Sequence, residues 1–130
     1  MTRPLFYLAH PVAGDVTENV ARALRWLAWA RKTWPHHTVI APWIASILSG
    51  DDDSNPAHRQ AGIDDAITVI RYCDGIILCG PRISSGMEIE MRSGLEKSRN
   101  FMVFNLTGML RVEPPQFDLS EPVMGERGPR

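Results

Sequence analysis

The sequence is short of the features that mark several functional classes. Neither sign of charge dominates: 14 Lys and Arg stand against 15 Asp and Glu, for a net charge of −1. A protein that grips a phosphate backbone needs a basic face, so this balance argues against a nucleic-acid partner. Long apolar runs are missing too, which excludes a membrane-spanning helix. The apolar stretch Leu5–Ala9 is too short for a secretory signal and lacks a basic leader and a cleavage site. The expected location is the cytoplasm. Only two cysteines occur, Cys73 and Cys79, and their spacing fits neither a CxxC redox pair nor a zinc knuckle. Cys79 sits inside an apolar run and reads as a buried thiol.

What is present is ordinary for a globular chain: 130 residues, 44% of them hydrophobic, enough for one domain with its own core. Leu5–Ala9 reads as a strand, broken by the segment 10–14. Asp15 followed by Glu18 is a capping-box pattern that opens a long helix to about Thr33, with Val20, Ala23, Leu24, Leu27 and Ala30 as its core stripe. A short strand, Thr38–Ala41, is ended by Pro42, and a helical turn is expected from Trp43 to Leu48. After a polar loop, Asn55-Pro56 suits the start of a second long helix. There Ile63, Ala66, Ile67 and Ile70 share one face. The run from Gly75 to Gly80 is apolar throughout, as in a parallel strand covered on both sides. A further helix over about 86–98 and a strand over 101–105 complete the alternation.

Alternating strands and helices imply an α/β fold, a single Rossmann-like (flavodoxin-like) three-layer domain with a parallel sheet of four to five strands. The expected domain covers 1–112. The Pro- and Gly-rich tail over 113–130 is expected to lack regular structure unless it docks on a partner subunit.

Ligands of open α/β sheets bind beyond the carboxyl ends of the strands. Those ends fall at His10–Gly14, Pro42-Trp43, Gly80–Gly86 and Asn105–Gly108. The loop entering the 86–98 helix offers free N–H groups and the hydroxyls of Ser84 and Ser85, which suit an anion; the same residues also suit plain N-capping. No Walker A or dinucleotide-binding glycine pattern is present. On that helix Glu88, Arg92 and Glu96 form an ordinary solvated row. Glu90 differs: its neighbours one turn away are Gly86 and Gly94, with Met87 and Met91 on the apolar side. A carboxylate beside glycines leaves space for a ligand, and burial would tune its pKa.

Asp64 and Asp65 can point to the same strand ends or simply be solvated. Trp43 can stack on a base or serve packing. The loop 51–55 begins like a calcium loop, but Pro56 occupies the glycine position and Gly62 that of the closing glutamate. His36-His37 lacks a ligand pattern, so no metal and no cofactor are expected.

Taken in order, several segments resemble the nucleoside 2-deoxyribosyltransferase family and its nucleotide N-hydrolase relatives. They are Tyr7-Leu-Ala-His-Pro11, the helix of Asp64 and Asp65, Cys73-Asp-Gly-Ile-Ile-Leu78 and Ser84-Ser-Gly-Met-Glu-Ile-Glu90. The likeness spans about residues 5–108. Two positions depart from the family: Arg92 stands where glycine is common, and His10 where a small residue is.

The resemblance implies that Glu90 is a carboxylate nucleophile that cleaves or transfers the N-glycosidic bond of a 2′-deoxynucleotide or deoxynucleoside through a covalent sugar ester. Asp64, ahead of Asp65, would contact the base and help to protonate it, and Tyr7 would position sugar and nucleophile. Ser84 and Ser85 would favour a 5′-monophosphate. His10, Pro11, Gly14, Trp43, Gly86 and Met87 complete the candidate contacts. The family also implies a homodimer or dimer-based oligomer, with Asn105 and Thr107 reaching a neighbour's site. The alternative is a non-catalytic nucleotide-binding module.

Overall fold

The computed structural model describes residues 3–115. Its sheet contains β1 (Leu5–Ala9), β2 (Thr38–Ile40), β3 (Gly75–Leu78) and β4 (Met102–Asn105), all parallel, in the order β2-β1-β3-β4. The helices are α1 (Val16–Thr33), α2 (Pro42–Leu48), α3 (Pro56–Ile70) and α4 (Ser85–Lys97). This is the expected α/β domain, with four strands. Most of the expected tail, residues 116–130, lies outside the described residues.

Strand alternation divides the core. Phe6 and Leu8 of β1, with Ile77 and Cys79, face α1 through Trp26 and Ala30. Tyr7 and Ala9, with Ile76 and Leu78, face α3 and α4 through Ala66, Ile70 and Met87. Right-handed crossovers require this split. The chain steps one way from β1 to β2 and the other way from β2 to β3 and β4, so α1 lies on one face and α3 and α4 on the other. β3 is buried on both faces, as its unbroken apolar run predicted. The two cysteines are buried and free, one in each half of the core.

Helix starts follow the local chemistry. Asp15 accepts a hydrogen bond from the Glu18 amide (3.1 Å), and Asn55 accepts from those of Ala57 and His58. Pro42 opens α2, where its missing N–H costs nothing. Ser84 caps α4 through the Met87 amide, while the Met87 thioether takes the Ser84 amide (both 3.3 Å).

Two core expectations need correction. Leu24 is 43% exposed, and the buried position on α1 goes to Trp26, whose indole donates to the Val112 carbonyl at 3.1 Å. The segment after β4 folds back over α1, so that side of the helix has a covering the periodicity could not reveal. Glu113 fastens this covering by accepting from Arg22 and Arg25 (3.1 and 2.7 Å).

Gly94 does not leave ligand space beside Glu90, since a Cβ there would run into the Phe101 ring. The missing side chain lets α4 close on β4. Gly94→Ala is therefore expected to destabilise the protein by about 1–3 kcal/mol, although alanine favours helix; thermal melting of the two proteins decides this.

Candidate active site at the β1–β3 switch point

Strand order reverses between β1 and β3, and the helices that follow them diverge to opposite faces, opening a crevice above the strand ends. A cavity of about 440 Å³ lies there, walled by α2, α3 and the start of α4. That volume suits a small organic ligand.

The centre of its chemistry is a pair contributed by sequence-distant elements. The Tyr7 hydroxyl, from the middle of β1, donates to Glu90 Oε2 on α4 at 2.6 Å. Tyr7 is fully buried, and burial first, then the neighbouring carboxylate, pushes its phenol far above the usual range. It therefore stays protonated and serves as a donor. Burial pushes the Glu90 carboxyl up to about 7, against the Tyr7 hydrogen bond, which lowers it. Glu90 thus exchanges its proton near neutral pH, as a carboxyl in a ligand cavity with a fixed donor can do. Tyr7 occupies Oε2 and leaves Oε1 for a ligand.

Around this pair the cavity brings together Asp65, Trp43, His10 and the start of α4. The Trp43 indole N–H donates to the Leu8 carbonyl (2.9 Å), which fixes the ring as a wall of the cavity. His10, 3% exposed, donates from Nδ1 to the Pro11 carbonyl (2.7 Å). Burial lowers its pKa, keeping the ring neutral, and Nε2 has no hydrogen-bond partner among the described residues. Gly80 makes this packing possible. Its φ is +99°, and a Cβ there would lie 2.9 Å from His10 Nε2. Ser84, Ser85, Gly86 and Met87 all line the cavity, so Ser84 combines its capping role with a place at the site.

The expected order of the two α3 aspartates is reversed. Asp65 lines the cavity, whereas Asp64 accepts from Gln60 Nε2 (2.9 Å) one turn away. Adjacent helical residues are separated by about 100°, and α3 is rolled so that Asp65 takes the inner side. Pro11 and Gly14 also stay out of the cavity. Pro11 is buried and contributes its carbonyl to His10, and Gly14 forms the turn before α1 with φ +102°. Asn105 and Thr107 do not line it within this chain; Asn105 Oδ1 accepts from the Thr107 amide (3.0 Å).

Several lining residues are not among those expected at the site, and in the sequence the loop 51–55 is weighed only as a calcium loop. Arg59 and Arg82 bring two guanidinium groups, and Asp51, Asp52 and Asp53 come from the loop before α3. The Asp52 carboxyl is held low by the Ser54 hydroxyl. Arg59 Nη2 donates to Ser85 Oγ (3.2 Å), a contact across α3 and α4 that no motif announces.

Among the described residues no cluster of His, Cys, Asp or Glu could hold a metal ion, and no helix is long and apolar enough to cross a membrane. Neither thiol enters the site; burial pushes Cys73 up to about 11 and Cys79 higher still.

No curated protein matches the chain. A family model does, over residues 4–104, from just before β1 almost to the end of β4, so all the strands and helices around the cavity lie within it. The chain belongs to the family described as a domain of unknown function, DUF7768.

Proposed function

We propose that the cavity binds a 2′-deoxynucleotide or deoxynucleoside and cleaves or transfers its N-glycosidic bond, with Glu90 as nucleophile. The observation that carries this reading is the 2.6 Å Tyr7–Glu90 hydrogen bond inside the switch-point cavity. A partly buried carboxylate with one oxygen fixed and the other free suits attack on an electrophilic carbon. The likeness of the segments around Tyr7, Asp65 and Glu90 to the deoxyribosyltransferases supports that carbon being the sugar's C1′.

In this reading Glu90 Oε1 forms a bond to C1′ while the C1′–N bond breaks, its electron pair leaving on the base. Asp65 hydrogen-bonds the base and relays the proton it takes up. Water or an acceptor base then attacks C1′, the ester C–O bond breaks, and Glu90 returns as carboxylate. When water is the acceptor, its oxygen ends on C1′ and one of its protons balances that taken by the base. Trp43 provides a rigid face for the departing base.

The test is base release from a panel of deoxynucleosides and their 5′-monophosphates, for the wild type and Glu90→Ala. Release that vanishes in the variant supports the mechanism; full activity in Glu90→Ala rejects it. Asp65→Asn is expected to lower kcat/KM by about 100-fold, the range of general acid–base contributions. Asp64→Asn, outside the cavity, should stay within about threefold of wild type. The reverse pattern would exclude Asp65 from the site.

One observation favours a second reading, a module that sequesters a nucleotide without cleaving it. With a pKa of about 7, Glu90 is protonated in much of the population at neutral pH. Tight nucleotide binding without base release, unaffected by Glu90→Gln, would select it.

A further inference from the structure

We infer that Arg59 is a specificity-determining residue, and that the cleft it bridges between α3 and α4 takes the phosphoryl group of a phosphorylated substrate. The inference rests on the proposed reading of the cavity as a nucleotide site and adds a residue that no motif supplied.

Arg59 lies in the first turn of α3 and reaches across to α4, where Nη2 donates to Ser85 Oγ at 3.2 Å. Its other visible partner, Asp53, is 3.9 Å from Nη1. That is long beside the 2.7–2.9 Å of a charge-assisted hydrogen bond. The guanidinium is therefore held in place while most of its donors stay uncommitted. The second cation of the cavity, Arg82, makes no hydrogen bond or ion pair among the described residues. Two arginines thus flank the start of α4, where helical amides also favour negative charge. Five carboxylates share the cavity with the two arginines, namely Asp51, Asp52, Asp53, Asp65 and Glu90. Asp52 accepts from the amide and hydroxyl of Ser54, and Asp53 stays 3.9 Å from Arg59, so neither takes up the donors of the guanidinium.

Two glycines point independently to an occupant of this cleft. Gly62 lies within α3, one turn from Arg59, and Gly86 in the first turn of α4 beside Ser85; both line the cavity. A Cβ at either would meet nothing within 4 Å, so packing requires neither glycine. Neither has a positive φ, so backbone conformation does not require them either. Glycine inside a helix is unfavourable relative to alanine. Two of them on facing cavity walls leave bare helix surface where a ligand can approach closely. A phosphoryl group there would meet the Arg59 fork, the Ser85 hydroxyl and the α4 amides together.

The test is calorimetric titration of the wild type, Arg59→Ala and Arg59→Lys with deoxynucleoside 5′-monophosphates and the corresponding nucleosides. In the wild type the monophosphates should bind more tightly. The ratio of the two affinities should fall by about 10- to 100-fold in Arg59→Ala. Arg59→Lys, keeping the charge but losing the fork, should recover part of it. An unchanged ratio in Arg59→Ala overturns the inference, as does a wild type that binds monophosphates no better than nucleosides.

Gly62→Ala separates ligand space from stability. It should melt higher than wild type while losing monophosphate affinity by about tenfold or more; retained affinity would exclude the bare helix surface from the site. Binding and base release are separate measurements. Monophosphate binding through Arg59 without base release would reject the glycosidic reaction and leave Arg59 in place. Base release with an affinity ratio indifferent to Arg59 would do the opposite.

Discussion

Glu90→Gln is expected to abolish base release, by about 10³-fold or more, and at the same time to make the protein harder to unfold above neutral pH. The two effects share a cause. The buried Glu90 carboxyl has a pKa of about 7, against about 4.3 in an unfolded chain. Between those values the native state holds a proton that the unfolded state has released. Stability therefore falls as pH rises through this window, and above it the cost of an ionised, buried Glu90 is fully present.

A gap of one pH unit between the native and unfolded pKa values corresponds to about 1.4 kcal/mol, so the cost reaches roughly 4 kcal/mol. Glutamine carries no charge at any pH and can still accept from the Tyr7 hydroxyl. The melting temperatures of wild type and Glu90→Gln should nearly coincide at about pH 4.5 and separate by roughly 10 °C at about pH 8. Melting curves across that range check the point. A constant difference would show that Glu90 is not titrating from a buried site, and the raised pKa would lose its place in the mechanism.

Tyr7→Phe should give the second large effect, and its signature lies in pH dependence more than in stability. Removing the hydroxyl takes away the one interaction that lowers the Glu90 pKa. Burial then acts unopposed, and Glu90 should ionise at a pH above the wild-type value of about 7. The acid limb of kcat/KM should move upward, because the nucleophile must be ionised. At about pH 7 the variant should lose about 10- to 100-fold in activity, through fewer ionised molecules and a looser carboxylate. Part of the loss should return at about pH 9, where Glu90 is again charged. An unshifted profile with uniformly lower activity would leave Tyr7 as a packing residue whose hydroxyl does not tune the nucleophile.

Local rules carried much of the fold. Asp15 and the pair Asn55-Pro56 announce helix starts because capping and proline placement depend on residues close in sequence. The apolar run of β3 announces a covered parallel strand for the same reason. Glu90 stood out because it lacked the ion-pair neighbours of Glu88 and was flanked by glycines. Even there the sequence misled in part, since Gly86 faces the cavity but Gly94 accommodates Phe101.

By itself, then, the sequence determined the order of elements, the parallel sheet and a short set of residues worth testing, since each of these depends on neighbours along the chain. Only the tertiary structure decided which groups meet. Tyr7 reaches Glu90, and Arg59 reaches Ser85, because strand order and helix packing close distances that separation along the chain does not predict. The roll of α3 placed Asp65 inside and Asp64 outside, though the two are adjacent and chemically alike. The fold-back of the segment after β4 exchanged Leu24 for Trp26 in the core. The raised Glu90 pKa is also a tertiary property, because desolvation comes from the whole wall of the cavity and not from any motif.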